Sequence, residues 1–170
     1  NPYYTVDGIS RGFNLDYREV DFDELDTADY ATNSFTAGVN LGIPTNEFDR
    51  INLGLDIRNT EFNIGPTASN EIRQFIADNG DEFLDFPLVA SWSHDSRNTA
   101  IFPTRGGRQS IQGEITIPGS DLTYYKLSYK NRHYFPMSKV FTLSLNADLG
   151  YGDTYGDLDT FPFFENYFAG

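Results

Sequence analysis

Apolar and polar residues alternate with a period of two along most of the chain, which is the spacing of side chains on the two faces of a β-strand. Between residues 34 and 43 the odd positions are apolar, and the even positions are Ser, Thr, Gly or Asn. The same alternation covers residues 50–57 and, at its longest, 141–151. The pattern therefore predicts an all-β chain whose strands each have one apolar and one polar face.

Seven strands are predicted, and several of them are long. They lie near residues 9–17, 34–43, 48–57, 86–95, 108–117, 123–135 and 140–152. A tilted membrane-spanning strand needs about 9–11 residues, whereas strands of globular domains commonly have about 5–6. Strand length therefore favours a segment of an antiparallel transmembrane β-barrel. Because bacterial barrels usually close with an even number of strands, we expect the chain to be part of a larger barrel.

The connections between strands are short at one end of the sheet and long at the other. Turns are predicted at 44–47, 96–107 and 136–139, all on one side. Opposite them lie the short connection 118–122 and three long segments, at 18–33, 58–85 and 153–170. This segregation is typical of outer-membrane barrels, in which the long loops are extracellular.

One short helix is predicted inside the loop 58–85. Ser69 or Asn70 can cap its N-terminus, and Gly80 stands where a C-terminal glycine belongs. Three apolar residues at helical spacing form a stripe: Ile72, Phe75 and Ile76. We expect a surface helix lying over the rim of the barrel.

The amino-acid composition excludes several classes of function. The 170 residues carry a formal net charge of −13 and no cysteine. The absence of cysteine excludes disulfide frameworks, thiol catalysis and cysteine-ligated zinc, and the acidic balance excludes a basic nucleic-acid surface. The long-loop side holds a net charge of −14 and the strands and short turns a net of +1. The acidity therefore belongs to one rim.

Candidate residues for chemistry are few, and neither enzymatic activity nor a cofactor is expected. His94 and His133 share the apolar parity of their strands, which favours interfacial histidines over metal ligands or general bases. Four acidic residues cluster in the first long loop: Asp21, Asp23, Glu24 and Asp26. They lack the glycine and terminal glutamate of an EF-hand, so a solvated loop is expected. A weak divalent-cation site beside lipopolysaccharide is the sharper alternative.

A ladder of charges is predicted on the polar face. The hairpin tip 118–122 centres on Ser120, which places Glu114 opposite Lys126. Lys130 shares this face, and Asp148 is expected opposite or diagonal to Lys126 across the next turn. Opposed charges of this kind contribute about 0.2–1 kcal/mol. The alternative is a set of solvated charges that contribute nothing measurable.

A soluble β-sandwich would show the same alternation, but two details favour the barrel. Aromatic residues concentrate near strand ends, as in interfacial girdles: Tyr17, Phe35, Phe86, Tyr125 and Tyr151 towards the long loops, and Trp92, Phe135 and Phe141 towards the short turns. The polar faces are rich in Gly, Ser and Asn, which is unusual for a solvent-exposed face.

Four stretches carry a family resemblance: residues 1–8 (Asn-Pro-Tyr-Tyr-Thr-Val-Asp-Gly), 102–106 (Phe-Pro-Thr-Arg-Gly), 115–121 together with 124–126, and 162–170. They resemble the barrel domain of the BamA family of outer-membrane protein assembly factors. The resemblance covers the whole chain and implies strands five to eleven of a sixteen-stranded barrel. It also implies that six residues form the stem of the sixth extracellular loop: Pro162, Phe163, Phe164, Glu165, Asn166 and Tyr167.

The resemblance implies a scaffold wall and surface loops of a protein that folds and inserts client outer-membrane proteins. Its expected partners are the lipid bilayer, lipopolysaccharide, unfolded clients and the lipoproteins of the assembly complex. The chain is expected to lack the POTRA domains that bind those lipoproteins, the first and last strands and the loop-six Arg-Gly-Phe motif. Two alternatives remain: a related pore, such as TamA or a two-partner secretion transporter, and a soluble acidic β-sandwich that binds a ligand.

Overall fold

The structure is a computed structural model, and it describes residues 8–21, 30–66, 68–156 and 158–165. These residues form eight strands, one helix and a terminal 3₁₀ turn, with the following bounds: β1 Ser10–Asp21, β2 Tyr30–Pro44, β3 Asp49–Ile64, α1 Asn70–Asn79, β4 Glu82–Asp85, β5 Pro87–Asp95, β6 Gly106–Thr116, β7 Tyr124–Pro136, β8 Thr142–Thr154 and the turn Phe163–Glu165.

The strands make one antiparallel sheet in the order β1-β2-β3-β5-β6-β7-β8. Each strand therefore pairs with its neighbour along the chain, and only the short β4 departs from this order by pairing with the far end of β3. The register keeps apolar residues opposite apolar residues, as in the pairs Leu41↔Leu53 and Leu55↔Leu88. The predicted antiparallel sheet is confirmed.

The strands extend further towards the long loops than the sequence pattern predicts. β1 runs to Asp21, β2 begins at Tyr30 and β3 continues to Ile64, so the segments 18–33 and 58–85 are loops only in part. The second segment also contains an eighth strand, β4, where seven strands were predicted. The prediction of these two loop boundaries was wrong.

The predicted end of β3 was too early because the two faces of this strand exchange polarity near residue 58. From Ile51 to Ile57 the odd positions are apolar, but beyond Ile57 they are Asn59, Glu61 and Asn63. On the other face the polar pattern gives way to Phe62, which is only 3% exposed. The simple alternation therefore stops although the backbone pairing continues to Ile64.

The turn between β7 and β8 is also longer than predicted. Pro136 still pairs with Thr142, and the Met137 N–H donates to the Phe141 carbonyl at 3.0 Å, so the turn covers residues 137–141. The register shifts accordingly, and Asp148 pairs with Lys130. The expected position of Asp148 beside Lys126 was wrong, because Lys126 faces Gly152.

The predicted helix is confirmed, together with both of its ends. The Ile72 N–H donates to the Ser69 hydroxyl at 3.3 Å, and the Gly80 N–H donates to the Ile76 carbonyl at 2.8 Å. Gly80 has a φ of 97° and a ψ of 180°, a conformation that essentially only glycine adopts. Ile72 and Phe75 are buried, so the helix packs down by its apolar stripe. In the described part of the chain, no helix is both long enough and apolar enough to cross a membrane.

The apolar face of the sheet has no second layer over it among the described residues. Leu15 is 75% exposed and Leu149 is 64% exposed. A sandwich would bury these side chains between two sheets, so a single sheet with this exposure excludes the sandwich alternative. The exposed apolar face is the one expected to contact lipid.

The buried core lies instead over the polar face, at the long-loop end. Its largest residues come from β2, β3, β4, β7 and the helix: Tyr30, Phe62, Phe75, Phe83 and Tyr124. Phe163 and Phe164 of the terminal turn pack against this cluster. The long loops thus fold inward over the end of the polar face.

We expect Leu145→Arg to destabilise the folded protein in lipid vesicles far more than Ser144→Arg. Leu145 lies on the apolar face and Ser144 lies next to it on the polar face, at nearly the same depth. An arginine facing lipid near the midplane costs about 2–4 kcal/mol. Denaturant titration of both variants measures the difference, and equal losses at the two positions would contradict the assignment of the faces.

Candidate functional site

The main cluster of charges lies on the polar face, just below the buried core. Its five residues come from β3, β6, β7 and the terminal turn, and are called the polar cluster here: Arg58, Glu114, Tyr124, Lys126 and Glu165. The strand residues share the polar parity of their strands, and Glu114 and Lys126 are direct register partners. The pairing predicted from the hairpin tip is therefore confirmed.

Arg58 holds the centre of the polar cluster. One guanidinium nitrogen, Nη1, donates to the Tyr124 hydroxyl at 3.2 Å and to Glu165 Oε1 at 3.0 Å. The same nitrogen lies 3.7 Å from Glu114 Oε1. This oxygen accepts a hydrogen bond from the Tyr124 hydroxyl at 3.1 Å. Arg58 therefore links two strands of the sheet to the terminal turn.

Glu165 is the contribution of the terminal turn. Its Oε2 accepts a hydrogen bond from Lys126 Nζ at 2.6 Å, while its Oε1 accepts from Arg58. The turn itself closes when the Glu165 N–H donates to the Pro162 carbonyl at 3.0 Å. One carboxylate thus bridges two cations that belong to different strands.

Two aromatic rings hold the same turn from above. The Phe163 ring lies 5.3 Å from Tyr30 and 5.5 Å from Phe75, measured between centroids, and both pairs are edge-to-face. The Phe164 ring lies 4.6 Å from Phe62. Edge-to-face pairs of this kind contribute about 0.5–1.5 kcal/mol beyond the burial of their area. The turn is therefore held by apolar packing on one side and by ion pairs on the other.

The charges of the polar cluster balance, and little water reaches them. Two cations face two carboxylates, and the exposure of the four charged side chains ranges from 12% for Glu114 to 21% for Arg58. Removal of one partner from such a network leaves an uncompensated, partly desolvated charge, which costs more than the net gain from the pair. The arrangement suits a structural anchor.

A cavity of about 400 Å³ opens beside the polar cluster. Its walls include Arg58, Lys126 and Glu165, and on the opposite side Asp16, Arg18 and Thr32. Its lining carries charges of both signs, so the cavity suits water and polar chain segments.

The hairpin tip 118–122 is fixed by hydrogen bonds to β4 and to Phe86. Asp85 Oδ1 accepts from the Leu122 N–H at 2.9 Å, and Asp121 Oδ2 accepts from the Leu84 N–H at 2.6 Å. The Ser120 hydroxyl accepts from the Phe86 N–H at 2.9 Å. Asp85 is only 2% exposed, and this burial raises the pKa of Asp85 to about 6.

The predicted charge ladder divides into two separate parts. Glu114 and Lys126 belong to the polar cluster, whereas Lys130 and Asp148 form an isolated pair at 3.6 Å whose side chains are about two-thirds exposed. Exposed pairs contribute about 0–1 kcal/mol. The ladder therefore does not run as one network along the polar face.

Sequence reasoning did not single out Arg58, Tyr124 or Asp85. Alternation along the strands could have indicated two of them. Arg58 stands two positions after Asp56, and Tyr124 two positions before Lys126, so both continue the polar faces of their strands. Of the residues predicted as the loop-six stem, Asn166 and Tyr167 lie outside the described residues, and Glu165 is the one that reaches the polar cluster.

The two histidines do not take part in a metal site within the described part of the chain. His94 Nδ1 lies 2.9 Å from Asp49 Oδ1, and His133 packs against Phe135 with 4.5 Å between ring centroids. No group of three or more His, Asp or Glu side chains is placed to hold a metal ion within the ranges that the structure describes. The side chain of Asp21, and all of Asp23, Glu24 and Asp26, lie outside those ranges.

These features define a class of protein: a segment of a transmembrane antiparallel β-barrel wall, with its long loops folded over the polar face. The Omp85 superfamily domain matches residues 1–170. Over 180 aligned residues the chain is 31% identical to the outer membrane protein assembly factor BamA of Neisseria meningitidis serogroup B (strain ATCC BAA-335 / MC58), covering all of this chain and 23% of that protein.

A solved structure agrees with this match. The crystal structure of BamA from Haemophilus ducreyi lacking POTRA domains 1–3 matches with a TM-score of 0.86 and 26% sequence identity, and covers 100% of this chain and 34% of that one. The chain belongs to the Omp85 superfamily, and it is a segment of an outer-membrane β-barrel. It spans about a quarter of the length of the curated relative and about a third of the solved structure.

We expect Glu165 and Lys126 to be energetically coupled. A double-mutant cycle with Glu165→Gln and Lys126→Met should give a coupling free energy of roughly 1–3 kcal/mol, because the two groups share a partly buried network. The matched control is Asp148→Asn with Lys130→Met, an exposed pair that should couple by less than about 1 kcal/mol. Urea unfolding of the complete barrel measures both cycles; equal coupling would contradict the anchoring role of the polar cluster.

We expect the stability contributed by Asp85 to fall as the pH rises. Its folded-state pKa of about 6 lies above the ordinary value of 3.8, so the protonated form favours the folded state. That stability is fully present below about pH 4 and is lost as the pH rises through 6. Asp85→Asn keeps an oxygen that can accept from Leu122 and cannot ionise. Urea unfolding at pH 4 and 7 should show a growing advantage of the variant; a constant difference would contradict the raised pKa.

Proposed function

We propose that the chain forms part of the barrel wall of a factor that folds and inserts other outer-membrane proteins, without enzymatic chemistry. Membership of the Omp85 superfamily supports this, as does the match to a relative that is named an assembly factor. The structural observation that carries it is the anchoring of the terminal turn onto the polar face by Glu165, because it closes a loop over the lumen of a continuous wall.

In this mechanism the wall contributes stiffness. Seven consecutive strands pair without a break, so a barrel that contains them concentrates any strain in a seam elsewhere. Strand edges exposed at such a seam would template client strands by β-augmentation. The polar cluster adds to the stiffness, since it links β3, β6 and β7 through the terminal turn.

The partners follow from the two faces and the two ends of the sheet. The apolar face contacts the lipid bilayer, and the long-loop end lies beside lipopolysaccharide, whose phosphates repel its acidic residues unless divalent cations bridge them. Unfolded outer-membrane proteins are the clients, and lipoprotein partners would bind POTRA domains of the complete protein. The first acidic loop, with Asp21, Asp23, Glu24 and Asp26, stays the candidate for a weak divalent-cation site.

We expect the helix α1 to be accessible from outside the cell. Because the chain has no cysteine, Asp78→Cys introduces a single labelling site, and Met137→Cys provides a control in a turn at the opposite end. In a complete protein otherwise free of cysteine, a membrane-impermeant maleimide should label position 78 in intact cells and position 137 only after permeabilisation. The reverse pattern would overturn the orientation.

Depletion of the complete protein in its own host tests the proposed function. The folded, heat-modifiable fraction of resident outer-membrane proteins should fall several-fold, and the wild-type gene should restore it. We expect Glu165→Gln to restore it poorly, since Arg58 and Lys126 lose the carboxylate that they share, whereas Asp148→Asn, which changes an exposed carboxylate on the same face, is the control. Normal folding of outer-membrane proteins with loss of one exported protein would favour a secretion pore of the same superfamily instead.

A further inference from the structure

A second cluster of cations lies on the polar face at the short-turn end, away from the polar cluster. Arg108 of β6 and Arg132 of β7 are direct register partners, so two like charges stand opposite each other. Both line a cavity of about 320 Å³ together with Lys130, Arg97 and Asn146. The Cβ atoms of directly opposed residues are about 4.5–5.5 Å apart, so the two guanidinium groups can reach one common ligand.

Two carboxylates lie near the two arginines, and each forms its ion pair with another cation, although Asp95 is also the register partner of Arg108 across β5 and β6. Asp95 is engaged by Arg97, whose Nε and Nη2 lie 2.8 and 2.6 Å from its two oxygens. Asp148, which also lines the cavity, lies 3.6 Å from Lys130. Arg132 Nε donates to the neutral Asn146 amide oxygen at 2.7 Å. No carboxylate of the described residues is within ion-pair distance of Arg108 or Arg132.

This arrangement costs stability unless an anion lies between the cations. Like charges directly opposite each other on a sheet are destabilising. Arg108 and Arg132 form one row across the sheet, and Lys130 lies two residues along β7 on the same face, so three donors border one cavity. Arginine guanidinium groups match phosphate oxygens in pairs, and a phosphate group has enough oxygens for all three cations.

We propose that this cavity binds a phosphate group, with Arg108, Lys130 and Arg132 as its donors. The site lies on the polar face, opposite the lipid-facing apolar residues. A free phosphate or a water-soluble phosphate ester therefore reaches it through the lumen, whereas a phospholipid must carry its headgroup away from the apolar face. Either source presents the same chemistry to the three cations.

Thermal unfolding of the complete detergent-solubilised barrel tests the site. The Tm should rise with the logarithm of inorganic phosphate concentration at constant ionic strength, with chloride as the replacing anion, because a ligand that binds only the folded state stabilises it. Arg132→Gln should weaken the apparent affinity for phosphate by about tenfold or more. It should also raise the Tm in chloride alone, since it removes the opposed like charge. Arg108→Gln should behave in the same way.

Lys139→Gln is the matched control, because it removes one positive charge at the same end of the sheet without lining the cavity. Its phosphate response should equal that of the wild type. A response seen only in vesicles with phosphatidic acid, compared with phosphatidylcholine, would support the site with a lipid headgroup as its ligand. No phosphate response in either medium, or a response that Arg108→Gln and Arg132→Gln both retain, would overturn the proposal.

Discussion

The hydrocarbon of a membrane offers no hydrogen-bond partner to a peptide N–H or C=O, so a strand that crosses it must be paired along its whole length by its neighbours. The long registers of this sheet meet that requirement, as between β2 and β3, which pair from Tyr30↔Ile64 to Pro44↔Arg50. Complete pairing also fixes the direction of every side chain, because neighbouring residues point to opposite faces. The segregation of Leu, Ile and Val from Asn, Asp and Gly is a consequence of this constraint.

The same constraint explains where the buried core forms. In the membrane span the apolar residues must face lipid, so they cannot build a core of their own. Only beyond that span, near Arg58 on β3, can an inward position hold an aromatic residue such as Phe62, which α1 then covers. The terminal turn brings Phe163 to this core and Glu165 to the charges below it, so one short segment joins the apolar and the ionic parts of the loop end.

The sequence predicts whatever depends on local periodicity and leaves out what depends on distant contacts. Alternation identifies the strands and their faces, the centre of the hairpin tip identifies the Glu114↔Lys126 pair, and capping residues identify α1. β4 was missed because four residues are too few to show a period, and the far end of β3 because its faces exchange polarity. The partnership of Arg58 with Glu165 joins residues 107 positions apart, and no spacing along the chain encodes it.

Charged residues occur at both ends of the polar face, but their surroundings differ. At the loop end, cations and carboxylates are equal in number, mostly excluded from water and tied to three strands, which favours one rigid arrangement. At the turn end, Arg108 and Arg132 stand exposed and directly opposed, and their repulsion is left for an anion to relieve. The difference follows from what covers each end: α1 and the terminal turn remove water from the first, whereas Arg108 and Arg132 at the second are exposed. The rigid charge network and the exposed cations therefore lie at opposite ends of the same strands. Their separation depends on where two short segments outside the barrel wall, α1 and the terminal turn, are placed.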